Sequence, residues 1–273
     1  MMMYRRFMRI LPRKKLLTKR RRFVLVSGLL TLGLFLTQYL TVEQRYWAVG
    51  GMAVVSYGLT YWAMFKEMRG PLALVNMVLP AMYPTAVALF YFLLPQATLT
   101  HAVVLIVFAV SMYALLLTTN IYAVASTRTI QLLRAARAVG FLLTILTSAL
   151  FTHVIFSLHV AAWITVGLVA VVAYPLLLHG VWSYTLGDRV KVEVWYALSG
   201  MVIIAQLSGA MTFWLIDPPL ASILLAMGMY VILGMFQHDA EGRLFTRTIQ
   251  EYIWFAAIVY VVVAAAVVAR WIN

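Results

Sequence analysis

Cysteine is missing from the chain altogether, which removes disulfides, zinc thiolate sites and thiolate nucleophiles in one step. Acids are almost as scarce: eight Asp and Glu stand against 21 Lys and Arg, a formal net charge of +13. Charged residues of both signs make up only 11% of the sequence, where a soluble domain carries about a quarter. A chain that is 64% hydrophobic, with mean hydropathy +0.95, has too little polar surface to cover itself in water. It belongs in lipid. The placement of the acids excludes one class of function as well. Glu43, Glu67, Asp188, Glu193, Asp217, Asp239, Glu241 and Glu251 all fall in polar breaks or at the ends of apolar runs, and no Lys or Arg falls mid-run. Proton relays, ion-coupled transporters and voltage sensors keep ionisable groups inside the bilayer because those groups carry the coupling. The sequence therefore argues against transport driven through buried carboxylates.

What the chain does have is basic charge in one place. Arg5, Arg6, Arg9, Arg13, Lys14, Lys15, Lys19, Arg20, Arg21 and Arg22 crowd into residues 1–22 without a single acid. This placement suits a membrane surface rather than nucleic acid. It reads as a cytoplasmic topology signal, and as a segment that grips anionic lipid at roughly 1 kcal/mol per basic residue. No small-x-small site follows the first apolar run, so a cleaved signal peptide is not expected, while an acid-poor, Arg-rich organellar leader has the same composition.

Nine apolar runs follow the tail, at 23–41, 46–65, 71–94, 101–125, 138–158, 162–179, 194–216, 220–236 and 252–272. Each is near the roughly 20 residues a crossing requires, and backbone in hydrocarbon must satisfy its own hydrogen bonds, so each is expected to be a helix. The least marked boundary is the few residues around His159. Starting inside, the nine runs leave nineteen basic residues on the cytoplasmic side and only Arg45 and Arg270 outside, the bias of the positive-inside rule. The eight tryptophans, Trp47, Trp62, Trp163, Trp182, Trp195, Trp214, Trp254 and Trp271, fall at or near run ends, where an indole sits at headgroup level.

The chain also repeats itself. Thr127-Arg128-Thr129-Ile130-Gln131 returns as Thr246-Arg247-Thr248-Ile249-Gln250, each copy closing a polar loop before an apolar run. Gly50 and Gly167, Ala53-Val54-Val55-Ser56-Tyr57 and Ala170-Val171-Val172-Ala173-Tyr174, Met112-Tyr113 and Met229-Tyr230, and Asn120 and Gln237 all pair at an offset of 117 residues. Phe90-Tyr91 through Pro95 pairs with Phe213-Trp214 through Pro218. Matches in one order at nearly one offset predict a tandem duplication. The expected fold is all-α membrane: a basic tail (1–22), one helix (23–45), and four-helix repeats at 46–158 and 160–273. An even number of crossings per repeat makes the copies parallel, about a pseudo-twofold along the membrane normal.

Arg45-Tyr46-Trp47-Ala48, Phe90-Tyr91-Phe92-Leu93-Leu94-Pro95, Arg128-Thr129-Ile130-Gln131-Leu132-Leu133-Arg134-Ala135-Ala136, and Gln237-His238 with Glu241-Gly242-Arg243 give the chain a resemblance to a group of uncharacterised multi-pass proteins of candidate-phyla bacteria. The resemblance spans most of the chain and implies a bacterial plasma membrane. It implies no activity.

Candidate sites follow from polarity inside the runs. Asn76, Pro80 and Pro84 interrupt the third run, and Ser199, Gly200, Gln206, Ser208 and Gly209 mark the seventh, its repeat equivalent. Interrupted helices at equivalent positions often line a solute path, and the same residues also serve close helix packing. Arg128 and Arg247, at the repeated motif, with Arg134 and Arg137, are placed to hold lipid phosphates or another anion near helix N-termini, or simply to fix helix depth. Thr248 and Glu251 fit a capping box. His101, His153 and His159 share a side with Glu43 and Asp217, and His238 precedes Asp239 and Glu241, but no HxxxH or HExxH spacing indicates a metal. No catalytic constellation and no cofactor motif is present. The expected function is a non-enzymatic multi-pass protein that binds or passes a neutral or amphipathic solute, lipid included, between two halves. An assembly subunit packing on other membrane proteins and an intramembrane lipid-modifying enzyme are the rival readings. The expected partners are membrane lipids, with anionic headgroups at the cytoplasmic face.

Overall fold

The computed structural model describes residues 18–65, 72–95, 97–125, 131–187, 191–214 and 216–272. Most of the basic tail, and the loops that carry Lys66, Arg69, Arg128 and Arg189, lie outside the described residues. Among the described residues every regular element is a helix: α1 (Lys19–Leu36), α2 (Val42–Met64), α3 (Leu72–Asn76), α4 (Val78–Tyr91), α5 (Thr98–Ala125), α6 (Leu133–Ser157), α7 (Ala162–Thr185), α8 (Lys191–Phe213), α9 (Pro218–Ala240) and α10 (Thr246–Ile272). Eight spans are long and apolar enough to cross a bilayer, α3 and α4 counting together, and the chain is an all-helical membrane protein. The ninth long helix, α2, is not among those eight. Its 23 residues have the length for a crossing, but Gly50, Gly51, Ser56, Gly58 and Thr60 dilute its apolar character.

Local chemistry sets the boundaries. Thr41 and Gln44 form a capping box at the start of α2, with the backbone N–H of Thr41 donating to Gln44 Oε1 at 3.2 Å. The box expected at Thr248 and Glu251 does not form, because α10 begins two residues earlier. There Ile249 N–H donates to the Phe245 carbonyl at 3.1 Å, and Glu251 pairs with Arg247 at 3.2 Å. The third apolar run reads as one helix and folds as two. Pro80 has no N–H and its ring would strike the carbonyl four residues back, that of Asn76, so the helix stops there and restarts after Met77. The turn around His159 places that residue at φ 48°, in the left-handed region.

The long helices run alternately up and down. At one end Arg22 lies over the Trp62 ring, 5.7 Å from its centre, and Lys19 Nζ donates to Asn120 Oδ1 at 3.4 Å. At that same end the Tyr122 hydroxyl donates to the Ala136 carbonyl at 2.9 Å, and Arg137 pairs with Glu241 at 3.0 Å. Every Lys and Arg whose side chain is described belongs to this basic end. The opposite end joins Tyr91 to Gln38 and His101, and Phe90 to His153.

Packing is centred on α6, which lies against α4, α5, α7 and α9. Its inward face carries Ala136, Gly140, Thr144, Ser148 and Thr152, one small residue every four positions and all buried. Thr144 and Thr152 donate to carbonyls of their own helix, at 2.8 Å each, so the hydroxyls need no partner elsewhere. Such a stripe lets neighbouring backbones come close, the usual source of helix association where lipid removes the hydrophobic drive. Leu79 and Tyr83 of α4, Met112 and Leu116 of α5, Leu176 and Leu177 of α7, and Met229 and Leu233 of α9 fill the core around it.

The two proposed repeats share the order of helix neighbours, α2 on α4, α4 on α5 and α5 on α6 against α7 on α8, α8 on α9 and α9 on α10. Met112 and Met229 are both fully buried, and Gly50 and Gly167 both face open space. Their last helices differ. α6 is surrounded, whereas α10 packs mainly on α9, with only 11% of its span buried against 28–56% for the others. Trp182 also departs from expectation. It is 2% exposed and packs beside Tyr122 and Ala136 rather than at a lipid headgroup, while Trp47, Trp163, Trp195 and Trp254 stay outside.

Two outcomes follow. A Cβ on Gly140 would overlap the Tyr122 hydroxyl oxygen, so Gly140→Ala should cost about 1–3 kcal/mol of overpacking. The thermal midpoint in detergent should fall, and Tyr122→Phe in the same chain should recover most of the loss. An unchanged midpoint for the single variant would contradict this packing. His159→Gly should stabilise by about 1 kcal/mol, because glycine accepts the left-handed conformation without a Cβ penalty. A lowered midpoint would show that the His159 ring, whose Nδ1 lies 2.8 Å from the Ser157 carbonyl, outweighs that strain.

Candidate ligand cleft

A cleft of about 600 Å³ opens at the end opposite the basic residues, within the size range of small-molecule sites. Three segments build it. α1 runs into a 3-10 turn at Thr37–Tyr39, fixed by the Thr37 hydroxyl donating to the Leu34 carbonyl at 2.6 Å, and supplies Phe35, Gln38 and Tyr39. The end of α4 supplies Tyr91, Phe92 and Leu94, the chain turning there through a hydrogen bond from Leu93 N–H to the Phe90 carbonyl. The start of α5 supplies Thr98, His101, Ala102 and Leu105. The Tyr91 hydroxyl donates to Gln38 Oε1 at 3.3 Å, and its ring lies 4.7 Å from that of His101, tilted by 35°. Tyr91 itself is buried, whereas Tyr39 is 72% exposed, its ring edge-on to Phe35. None of the described lining residues carries a fixed charge. The result is an apolar trough of Phe35, Phe92, Leu94, Ala102 and Leu105 beside hydrogen-bonding groups of both kinds.

The basic end is different in kind, a cross-braced polar layer. Helix α3 stops short of Pro80, and there the Val75 carbonyl is met by Nδ1 of fully buried His179 from α7, at 2.9 Å. Asn76 Nδ2 donates to the Thr119 carbonyl on α5 at 3.1 Å, while its Oδ1 has no partner. Gln237 Nε2 donates to the Gly180 carbonyl at 2.9 Å, tying α9 to α7. Arg137 spends its guanidinium on Glu241, on the Tyr184 carbonyl and on the face of the Tyr184 ring, 4.3 Å away. Glu193 is buried at the start of α8, accepting from the Thr185 hydroxyl at 2.7 Å.

Against this geometry the residues singled out from sequence separate. Asn76, Pro80 and Pro84 are buried at and beyond the α3–α4 break. Ser199 is exposed, with its hydroxyl on the Tyr196 carbonyl, and Gln206 is exposed as well. Gly200 is pressed among Leu177, Ile232 and Phe236, Ser208 is buried on the Ala205 carbonyl, and Gly209 lies near Val166. These two groups do not meet. α4 packs on α2, α5, α6 and α7, α8 packs on α7 and α9, and α7 stands between them. Of the anion candidates, Arg134 and Arg247 are exposed, Arg137 is engaged within the bundle, and Arg128 lies outside the described residues. The histidines are dispersed: His101 on Tyr91, His153 on Phe90, and His238 on the Gly234 carbonyl at 2.8 Å. No group of three His, Asp or Glu placed to hold a metal occurs among the described residues.

Sequence reasoning passed over the cleft. The signal lay in Gln38-Tyr39, Tyr91 and His101, polar aromatic and amide groups at the same end of three runs. Periodicity does not say which runs are neighbours, and this site needs α1 beside α5.

No curated protein and no solved structure matches the chain. Residues 46–266 match the family described as Protein of unknown function (DUF5656), a match that begins in α2, leaves α1 outside and ends in α10, and the chain belongs to that family.

Proposed function

We propose that this protein is a non-enzymatic multi-pass protein of a bacterial plasma membrane that holds an amphipathic molecule in the cleft between α1, α4 and α5. The observation that carries this reading is the two-part lining, an apolar trough beside Gln38, Tyr39, Tyr91, Thr98 and His101. A water-soluble ligand has no use for the trough, and a plain hydrocarbon leaves the polar groups unpaired. The basic end lies in the cytoplasm by the positive-inside rule, which puts the N-terminus inside, the C-terminus outside and the cleft at the outer leaflet. Arg20, Arg21, Arg134, Arg243 and Arg247, exposed at the inner face, then attract anionic headgroups.

The halves 46–158 and 160–273 are read as tandem copies, but a path between them through α4 and α8 has no support, since α7 separates those helices. Binding, not passage, is the better reading. A second reading, packing against another membrane protein, has one observation in its favour. α10 presents Trp254, Ile258, Val261 and Val262 on a face left exposed by the described residues.

Because the natural chain has no cysteine, single cysteines can be placed without background. Leu94→Cys should react with a membrane-impermeant maleimide added outside intact cells, and Arg134→Cys only after permeabilisation. The reverse pattern would overturn the orientation. For the ligand, native mass spectrometry of the purified chain should show one retained amphiphile. Ala102→Trp, which fills the cleft, should release it. Val110→Trp, at a 65% exposed position of the same helix, should keep it. Equal retention in all three chains would remove the cleft as its site.

A further inference from the structure

The chemistry of the lining narrows the ligand, on the reading that the cleft holds an amphipathic molecule. Gln38 offers a carbonyl and an amide, Tyr39 and Thr98 offer hydroxyls, and His101 offers a ring with one donor and one acceptor when neutral. A head that both gives and takes hydrogen bonds matches this set; one that only accepts does not. Phosphate is acceptor-only and charged, and no Lys or Arg occurs among the described lining residues. Bringing it in unpaired costs far more than the available neutral hydrogen bonds return. The described basic side chains lie at the far end of the bundle, where anionic heads are better served. A choline head would be drawn to the tyrosine rings, but its phosphate would again find no cation among the described lining residues.

Shape agrees with the charge argument. The Tyr39 ring is 72% exposed at the rim, free for the C–H face of a sugar to lie on, while Tyr91 and His101 form a second aromatic surface deeper in. The Phe35, Ala102 and Leu105 side chains line the cleft along α1 and α5, and they continue the polar rim into an apolar wall. That wall is what a lipid tail requires and what a free sugar could not use.

We propose that the cleft binds a lipid with an uncharged, hydroxyl-bearing head, a monoglycosyl diacylglycerol being the class that fits, with its sugar among Gln38, Tyr39 and His101 and its chains along Phe35, Ala102 and Leu105. The head is recognised by neutral hydrogen bonds and ring stacking, and anionic lipid finds no cation among the described lining residues.

The test uses the full chain in vesicles of phosphatidylcholine containing one of three diazirine-tagged lipids with the same acyl chains: monoglucosyl diacylglycerol, phosphatidylglycerol or phosphatidylcholine. After illumination, labelled peptides are located by mass spectrometry. The glucosyl lipid should label peptides containing Phe35–Tyr39 and Phe92–Leu105 about tenfold more than either phospholipid, the difference one or two unpaired polar groups make. Gln38→Leu and His101→Leu should each remove that preference while leaving the labelling of α10 unchanged. Equal labelling of the cleft by all three lipids, or preference for phosphatidylglycerol, overturns the headgroup assignment and leaves the cleft as a general lipid site. Labelling of α10 without any labelling of the cleft overturns both. Displacement of the glucosyl lipid by millimolar methyl glucoside shows that the ligand is the free sugar and overturns the lipid assignment.

Discussion

A backbone carbonyl in hydrocarbon has no water to turn to, and the break before Pro80 creates the most demanding case in this protein. Where α3 stops, the carbonyl of Val75 and the side chain of Asn76 need partners from other helices. The Val75 carbonyl finds one on α7, through His179, and Asn76 Nδ2 finds one on α5, through the Thr119 carbonyl. A polar group in lipid is expensive alone and inexpensive when paired, so the break fixes which helices must stand beside it. The placement of α7 against α3 and α4 satisfies that requirement. It also gives the fully buried His179 its role: the ring is a brace.

The same placement decides what the two halves can do together. With α7 lodged beside α4, the third and seventh apolar runs are kept apart, and the inward face of α6 closes over α9. The small-residue stripe from Ala136 to Thr152 makes α6 central, and α10, its counterpart by sequence offset, has no such stripe. In α10 the corresponding inward positions hold Val263 and Val267, which make only a small contact with Met211 and Leu224. A duplication read from sequence thus need not produce a twofold contact surface. The helix that packs is chosen by side-chain size along one face, and the two halves differ there.

Much of the fold was legible from composition and run length, because lipid leaves a helix as the one unpaired-strand-free solution for an apolar segment of that length. The turn at His159 and the collection of basic residues at one end follow from elementary rules, whereas α1, α2 and α10 start at Lys19, Val42 and Thr246, ahead of the runs at 23, 46 and 252. The split at Met77 and the cap at Thr41 went unread, although Pro80, through its clash with the carbonyl of Asn76, and Gln44, three residues on from Thr41, carry the signals. Trp182 was misplaced because the end of a run is not always the surface of a bundle. The indole sits on the inward face of α7, beside Tyr122. The site was less legible than the fold for a related reason. Asn76, Gly200 and Ser208 are polar or small inside apolar runs because helices pack there, and that need looks the same in sequence as a lined path.

The distribution of charge gives the two ends of the molecule separate tasks. Arg137, Glu241, Tyr184, Thr185 and Glu193 use charged and strong donors to hold loops and helix ends of the basic end together. A cleft built there would have to compete with those contacts for every donor. At the opposite end the described lining is uncharged, the Tyr91 hydroxyl makes a single bond to Gln38, and the space between α1 and α5 stays open. Helix α1 is the element that makes this opening, since it contributes Phe35, Gln38 and Tyr39 from outside the stretch that matches the family. Its basic end is fastened through Lys19 to Asn120 and through Arg22 to Trp62, and Ser27 donates to the Ala109 carbonyl at 2.6 Å midway. Beyond that anchor the last turn of α1 and the 3-10 turn after it face the start of α5 across the cleft.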